Sequence, residues 1–381
     1  MSDNRLSSPS PVSSVRRVVI RSVLLLALLA TAAGAGAAAT AASPTPRFDE
    51  QVLYEAGTSG YSCFRIPAIV RTTKGTLLAF AEGRVNDCSD TGDIDLVLRR
   101  STDGGRTWGP IQVVIEGNGD TRGNPSPVVD EESGRIALLS TRNPGADQHI
   151  REPFLQYSED DGVTWTEPEN ITDDISKPEW LWWYGTGPVH GIQLKRGPHA
   201  GRLVVPSYFG EGPGEPAGVV LVYSDDGGLT WQRGAIDRHE GTTLHPGENT
   251  IVELVDGRIY DSAREGGSTP EPGHRAYAIS SDGAASFEAP FVTEHQLQMP
   301  TVQAAMLRTH AVDEGDARNR ILFSAPAHPA AREVMTIRST YDEGETWESW
   351  EEGKVVWWGP SAYSDMVEIE DERNGGLIGL L

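Results

Sequence analysis

Ser101-Thr102-Asp103-Gly104-Gly105-Arg106-Thr107-Trp108 is the stretch from which the fold can be read. The same pattern, Ser/Thr-x-Asp-x-Gly-x-Thr-Trp, returns at Ser158–Trp165, Ser224–Trp231 and Thr340–Trp347, and a degraded copy runs from Ser280 through Asp282 to Phe287. The aspartates of the five copies, Asp103, Asp160, Asp226, Asp282 and Asp342, lie 56 to 66 residues apart. Ser and Asp side chains bond nearby backbone amides, Gly accepts a positive φ, and Trp fills the space between sheets, so the box is a turn device. It lacks the spaced acidic ligands and terminal Glu of an EF-hand, and a calcium loop is set aside. A second marker keeps step with the first: a turn residue followed by an apolar strand, at Gly75, Gly134, Gly201, Gly257, Asn319 and Gly376. Around these markers the short runs Thr76–Phe80, Ile136–Ser140, Leu203–Val205, Ile259–Tyr260 and Ile321–Ser324 are apolar or β-branched and bounded by turns, with no competing helical period. Units of this length with about four strands each are the mark of a propeller. Six markers predict an all-β, six-bladed β-propeller occupying residues 43–381 as one domain.

Residues 1–42 stand outside that repeat. Arg16, Arg17 and Arg21 precede an apolar run from Val23 to Leu29 and the small residues Ala39, Thr40 and Ala41, the layout of a signal peptide. An uncleaved anchor is the alternative, disfavoured by the Ala/Gly-diluted run. The expected product is a secreted, extracellular protein without membrane attachment after cleavage. Removing residues 1–42 takes the formal net charge from −23 to −26, a surface that repels nucleic acid and anionic membranes. An anionic substrate would therefore need a local concentration of arginine. Only Cys63 and Cys88 are present, and in an exported chain they suggest one disulfide rather than a metal site.

The five boxes, taken with Phe64-Arg65-Ile66-Pro67, resemble the bacterial exo-sialidase (neuraminidase) family over nearly the whole chain from about Leu53 to Leu381. The resemblance implies a substrate carrying a carboxylate on its anomeric carbon, gripped by three arginines from separate blades. The first resembles Arg65, the second Arg264 in Tyr260-Asp261-Ser262-Ala263-Arg264, and the third Arg332 ahead of Met335–Arg338, with Arg338 as the fallback. Guanidinium groups stay charged and pair with carboxylates through two hydrogen bonds.

For the acid/base catalyst, Asp87, Asp90, Asp93 and Asp95 compete. In the family this aspartate follows an arginine like Arg84 and stands nine residues before a strand-ending arginine such as Arg99, which favours Asp90 over Asp87. A general acid for glycoside cleavage calls for a somewhat raised pKa. An anionic nucleophile would be repelled by the substrate's own carboxylate, whereas a neutral phenol would not, provided a base assists it. The family supplies that phenol from a segment resembling Ala362-Tyr363-Ser364-Asp365 and the assisting glutamate from one resembling Gly247-Glu248-Asn249, sixteen residues before Arg264. Arg84 and Asn124 match site-lining positions, and Trp180, Trp182, Trp183 and Tyr184 offer stacking faces at a rim.

These readings predict an exo-α-sialidase, a retaining glycoside hydrolase acting on sialylated glycans as a monomer, without metal or organic cofactor. A non-catalytic glycan-binding propeller and an intramolecular or trans-sialidase are the alternatives. Neither a Gly-x-Ser-x-Gly elbow nor a His-Glu-x-x-His pair occurs. Against the family pattern, Leu381 falls roughly 20 residues short of the strand that completes a last blade. The last blade is therefore expected to be incomplete, with Gln51–Tyr54 contributing one outer strand.

Overall fold

A computed structural model describes residues 48–381 except 146, 148, 214–216, 239–243, 267–272 and 371–375. The expected signal segment lies outside the described residues. Of those described, nearly all the regular structure is β, arranged as successive antiparallel meanders. Strands Cys63–Arg71, Leu77–Arg84, Ile94–Ser101 and Gln112–Ile115 form the first. Thr121–Val129, Ile136–Asn143, Glu152–Ser158 and Glu169–Asn170 form the second, joined to the first by one parallel pairing of Ile94 with Thr121. The third gathers Gly185–Thr186, Ile192–Gln193, Leu203–Gly210, Ala217–Ser224 and Gln232–Asp237. Pro246–Glu253, Ile259–Glu265, Arg275–Ser280 and Val292–Glu294 make the fourth, and Ala305–His310, Arg320–Pro326, Glu333–Thr340 and Lys354–Pro360 the fifth. Met366–Glu370 pairs with Leu377–Leu380 in the last, a two-stranded sheet among the described residues.

Both sequence markers fall at fixed points of this meander. Each turn marker precedes the second strand of a unit, and Gly75, Gly134, Gly201, Gly257 and Gly376 there have positive φ. Each box begins on the last residue of the following strand and turns the chain outward. In the copy at Ser224, the Ser224 hydroxyl donates to Asp226 (2.8 Å) and accepts from the Gly228 amide (2.9 Å). Asp226 in turn accepts from the amide (2.9 Å) and hydroxyl (2.6 Å) of Thr230. Trp231 then anchors itself on the Gly228 carbonyl (3.1 Å) and lies buried between sheets.

The first strands of the units line the centre. Cys63–Arg71 touches both Thr121–Val129 and Met366–Glu370, and Ala305–His310 touches Pro246–Glu253 and Met366–Glu370, so the ring closes between its first and last strands. This is a β-propeller. Face-to-face packing of neighbouring sheets buries both sides of a strand such as Leu77–Arg84, which explains its run of Leu, Ala and Phe in place of strict alternation.

Two expectations need correction. Gln51–Tyr54 forms no strand; Leu53 packs beside Val367, Ile369 and Leu381, while Tyr54 donates to the Ala79 carbonyl (2.7 Å) and lies against Phe64. The segment thus covers the sheet with side chains rather than with a hydrogen-bond ladder. Trp180 and Tyr184 are not rim groups: both are fully buried in the core around Leu203, Val205 and Val220, where Trp180 stacks on Phe209 at 4.0 Å.

Candidate active site

Three first strands and one third strand, Glu333–Thr340, are each broken by a bulge near their starting ends. Register shifts occur between Arg65 and Ala68, Gly123 and Ser126, Pro246 and Asn249, and Glu333 and Met335. Ile66, Asn124 and Val334 have left-handed φ at three of them. Bulges bend a strand and re-aim its side chains. Asn124 and Glu248 line one cleft of about 250 Å³ with Arg84, Asp90, Arg151, Arg264 and Tyr363; Arg65 and Arg332 are not among its lining residues and stand beside the Tyr363 ring.

Tyr363 is the centre of that cleft. Its hydroxyl donates to Glu248 Oε1 in a very short contact and accepts from Arg264 Nη1 at 3.1 Å, while the same Nη1 donates to Glu248 Oε2 at 2.7 Å. The guanidinium carbons of Arg65 and Arg332 lie 5.7 and 6.0 Å from the centroid of its ring. Arg332 also donates to the Thr301 carbonyl at 3.1 Å. The three arginines assigned to carboxylate binding therefore converge on one phenol. Burial is the main force pushing the Tyr363 pKa upwards, reinforced by the charge of Glu248 and opposed by that of Arg264, so the phenol is neutral at physiological pH. Arg264 is held as a cation: burial works against its charge, and Glu248 more than compensates.

Asp90 stands across the cleft. Its Oδ1 accepts from Arg65 Nη1 (2.7 Å) and Arg84 Nη1 (2.9 Å). Partial burial raises its pKa, but the Arg84 hydrogen bond and the charges of Arg65, Arg84 and Arg151 outweigh this and leave it below the ordinary aspartate value. The raised acid expected from the sequence is thus corrected: two guanidinium groups hold this carboxyl ionised. Asp87 instead accepts from the Ser89 amide on the exposed loop, and Asp93 and Asp95 accept from the amides of Gly119 and Gly117. Cys63 and Cys88 are joined in a disulfide with Cα atoms 5.4 Å apart, which ties the Asp90 loop to the strand of Arg65.

Arg84 is buried rather than freely facing the cleft. It takes Glu82 Oε2 through Nε (3.1 Å) and Nη2 (2.6 Å) and the Cys88 carbonyl through Nη1 (2.6 Å). Asn124 is likewise a connector. Its amide nitrogen donates to Glu82 Oε1, its side chain donates to the Thr186 carbonyl, and its Oδ1 accepts from Arg151 at 2.9 Å. Arg338, the alternative third arginine, lies buried outside the cleft and donates to the Gln298 carbonyl. Trp183 lines the cleft with the Arg151 guanidinium 4.4 Å from its ring, and Trp182 stacks on His149 at 4.5 Å near the surface.

Sequence reading missed Glu82, Arg151, Tyr208 and His245, all of which line the cleft. Only Glu82 left a usable signal: it stands two residues before Arg84 on one strand, and side chains two apart share a face.

Known proteins resemble this chain over most of its length. Residues 75–379 match the family model described as a BNR repeat-like domain. A sialidase of Micromonospora viridifaciens is 36% identical over 88% of this chain, which covers 52% of that protein. An exo-alpha-sialidase of Aspergillus fumigatus is 30% identical over 84% of this chain and 79% of its own length. Among solved structures, a Hadza microbial sialidase superposes with a TM-score of 0.70 at 25% identity, over 83% of this chain and 63% of that one. The chain thus spans about half of the Micromonospora protein and under two thirds of the Hadza one.

Proposed function

This chain belongs to the sialidase family, and from that premise we propose that it is an exo-α-sialidase releasing terminal sialic acid from glycans with retention of configuration. The observation that carries the reading is the placement of the Tyr363 hydroxyl between Glu248 Oε1 and Arg264 Nη1, with Asp90 lining the same cleft. Arg65, Arg264 and Arg332 receive the substrate carboxylate. Tyr363 attacks the anomeric carbon as Glu248 takes the phenolic proton, and Asp90 protonates the departing oxygen. Asp90 then draws a proton from water, which attacks the same carbon and displaces the phenolate, and Glu248 returns its proton to Tyr363. Two inversions give net retention. The substrate carboxylate competes with Asp90 for Arg65, so its arrival relieves Asp90 of one stabilising cation and lifts its pKa towards that of a working acid.

The same reading makes the protein a secreted one that meets its glycans outside the cell, in keeping with its N-terminal segment and its disulfide. NMR of the first-formed product from an α-sialoside tests the chemistry: the α-anomer of free sialic acid is expected. Tyr363→Phe should lower kcat roughly a hundredfold or more, because a phenyl ring cannot form the covalent intermediate. First appearance of the β-anomer, or near-normal turnover by that variant, would remove Tyr363 from the nucleophile's role. An anhydro sugar or a transferred sialoside as the main product would favour the intramolecular or transfer reaction instead.

A further inference from the structure

Two residues beyond Tyr363, the fully buried Asp365 carboxylate gathers four N–H donors. Oδ2 accepts from the amides of Ile69 (2.9 Å) and His190 (3.1 Å), and Oδ1 from the His190 ring Nδ1 (2.7 Å) and its own neighbour's amide, Met366 (2.9 Å). Its backbone is paired in both directions with Leu381. Ile69 belongs to the Cys63–Arg71 strand, which carries Arg65 at its other end. One carboxylate therefore ties the segment bearing the phenol to the strand bearing a substrate-binding guanidinium. Ser364, between them, is equally pinned: its amide donates to Gln303 Oε1 (3.0 Å), its carbonyl accepts from Gln303 Nε2 (3.0 Å), and its hydroxyl meets that of Ser324 (2.9 Å). Tyr363 thus sits at the end of a short segment whose next two residues are fixed from below, while its own hydroxyl meets Glu248 and Arg264.

We propose that Asp365, backed by His190, is a positioning residue that sets the Tyr363 hydroxyl against Glu248 and Arg264, and that it does so as a four-way acceptor between the first strand, His190 and the last sheet. The proposal rests on the catalytic reading of Tyr363 given above. A carboxyl suits the place because its two oxygens can accept all four N–H groups. In Asp365→Asn an amide NH₂ takes the place of one oxygen and meets two N–H groups, so one end of the segment must shift. Displacements of about 1 Å in a reacting group cost up to about a hundredfold in rate.

The test uses the full chain in four forms: wild type, Asp365→Asn, His190→Gln, and Val220→Ala as a control that loosens a fully buried core position away from the cleft. Steady-state kinetics on an aryl sialoside are combined with ¹³C NMR of the hydroxyl-bearing ring carbon of Tyr363, identified by its loss in Tyr363→Phe. Asp365→Asn is expected to lower kcat roughly tenfold or more with KM within about threefold, and to move the Tyr363 resonance. His190→Gln should act in the same direction by a smaller factor, and it decides the matter if Asp365→Asn does not fold. Val220→Ala should lower the melting temperature while leaving kcat and the resonance in place. If the Asp365 and His190 variants behave like Val220→Ala, the pair merely closes the ring and the proposal is overturned. Should the wild type fail to hydrolyse sialosides, the functional reading falls while the resonance still reports whether Asp365 positions Tyr363.

Discussion

Asp90 shares one oxygen between two arginines, and that arrangement sets its pH behaviour. A general acid works only while protonated, so turnover on a poor leaving group falls as pH rises through its pKa. With no substrate carboxylate on Arg65 that pKa is depressed, and with one it rises. The alkaline limb of kcat, which reports the complex, should therefore lie above that of kcat/KM, which reports the free protein. Rate profiles across pH check this, and Asp90→Ala should lose the limb when assayed with an activated aryl sialoside. The arginines should divide by their contacts. Arg264 touches both Glu248 and Tyr363, so Arg264→Lys should raise KM and lower kcat together. Arg332 is bound to the Thr301 carbonyl, so Arg332→Lys should raise KM about tenfold with kcat nearly unchanged. Motif context named Tyr363, Glu248 and Arg264 as candidates, and the structure brings the three together. Glu82 was legible only as a same-face neighbour of Arg84; that the pair is buried was not, because a glutamate in a strand reads as solvent-facing until both faces of that strand are known to be covered.

At the scale of the elements, the box and the disulfide do separate work. Asp103 and Asp160 accept bonds from the Thr hydroxyl and amide of their own turns, which lowers their pKa to about 2. In Asp226 partial burial works the other way, yet the bonds from Thr230 and Ser224 outweigh it and the pKa is again lowered. A depressed carboxylate stabilises the fold fully above the unfolded value of about 4, and the contribution is lost as pH falls through the folded value. Thermal melts should therefore weaken between about pH 4 and pH 2, less steeply in Asp226→Asn than in the wild type. The Cys63–Cys88 bond closes a loop of 25 residues' separation, which corresponds to about 3 kcal/mol of stabilisation in the chain-entropy account. Cys63→Ser/Cys88→Ser should lower the melting temperature and also reduce kcat, since it releases the loop of Asp90 from the strand of Arg65. Thiol counting on unreduced protein checks the bond itself, with none expected. The bulges at Arg65, Asn124, Glu248 and Arg332 were the part of these elements that no local pattern announced; each is a register mismatch with a partner strand, which a single strand's residues do not encode.

For the whole molecule the decisive contact joins the ends of the ring. His190 is mostly covered, and burial alone would lower its pKa, but the charge and hydrogen bond of Asp365 outweigh it and leave the pKa raised. A histidine with a raised folded pKa contributes fully below its unfolded value of about 6.5, and the contribution fades as pH rises through the folded value. Melting temperature should accordingly decline on the alkaline side of about pH 6.5, and His190→Gln should flatten that decline. The charge of −23 sits on the same molecule as a cleft reached by Arg65, Arg264 and Arg332, so an anionic substrate meets local attraction within a repulsive envelope.

The propeller was written in the chain itself, because its turn device is local: Ser, Asp and Thr of one box bond each other within seven residues, and the same eight-residue pattern returns at blade-like intervals. The candidate catalytic positions were named from motifs that are equally short. What only the tertiary structure decided was how those positions meet. The meeting of Tyr363 with Glu248 across 115 residues and with Arg264 across 99, and the clasp of Asp365 on Ile69 across 296, arise from strand register and ring closure. Those are properties of partners far apart in the chain, and no stretch of sequence carries them alone.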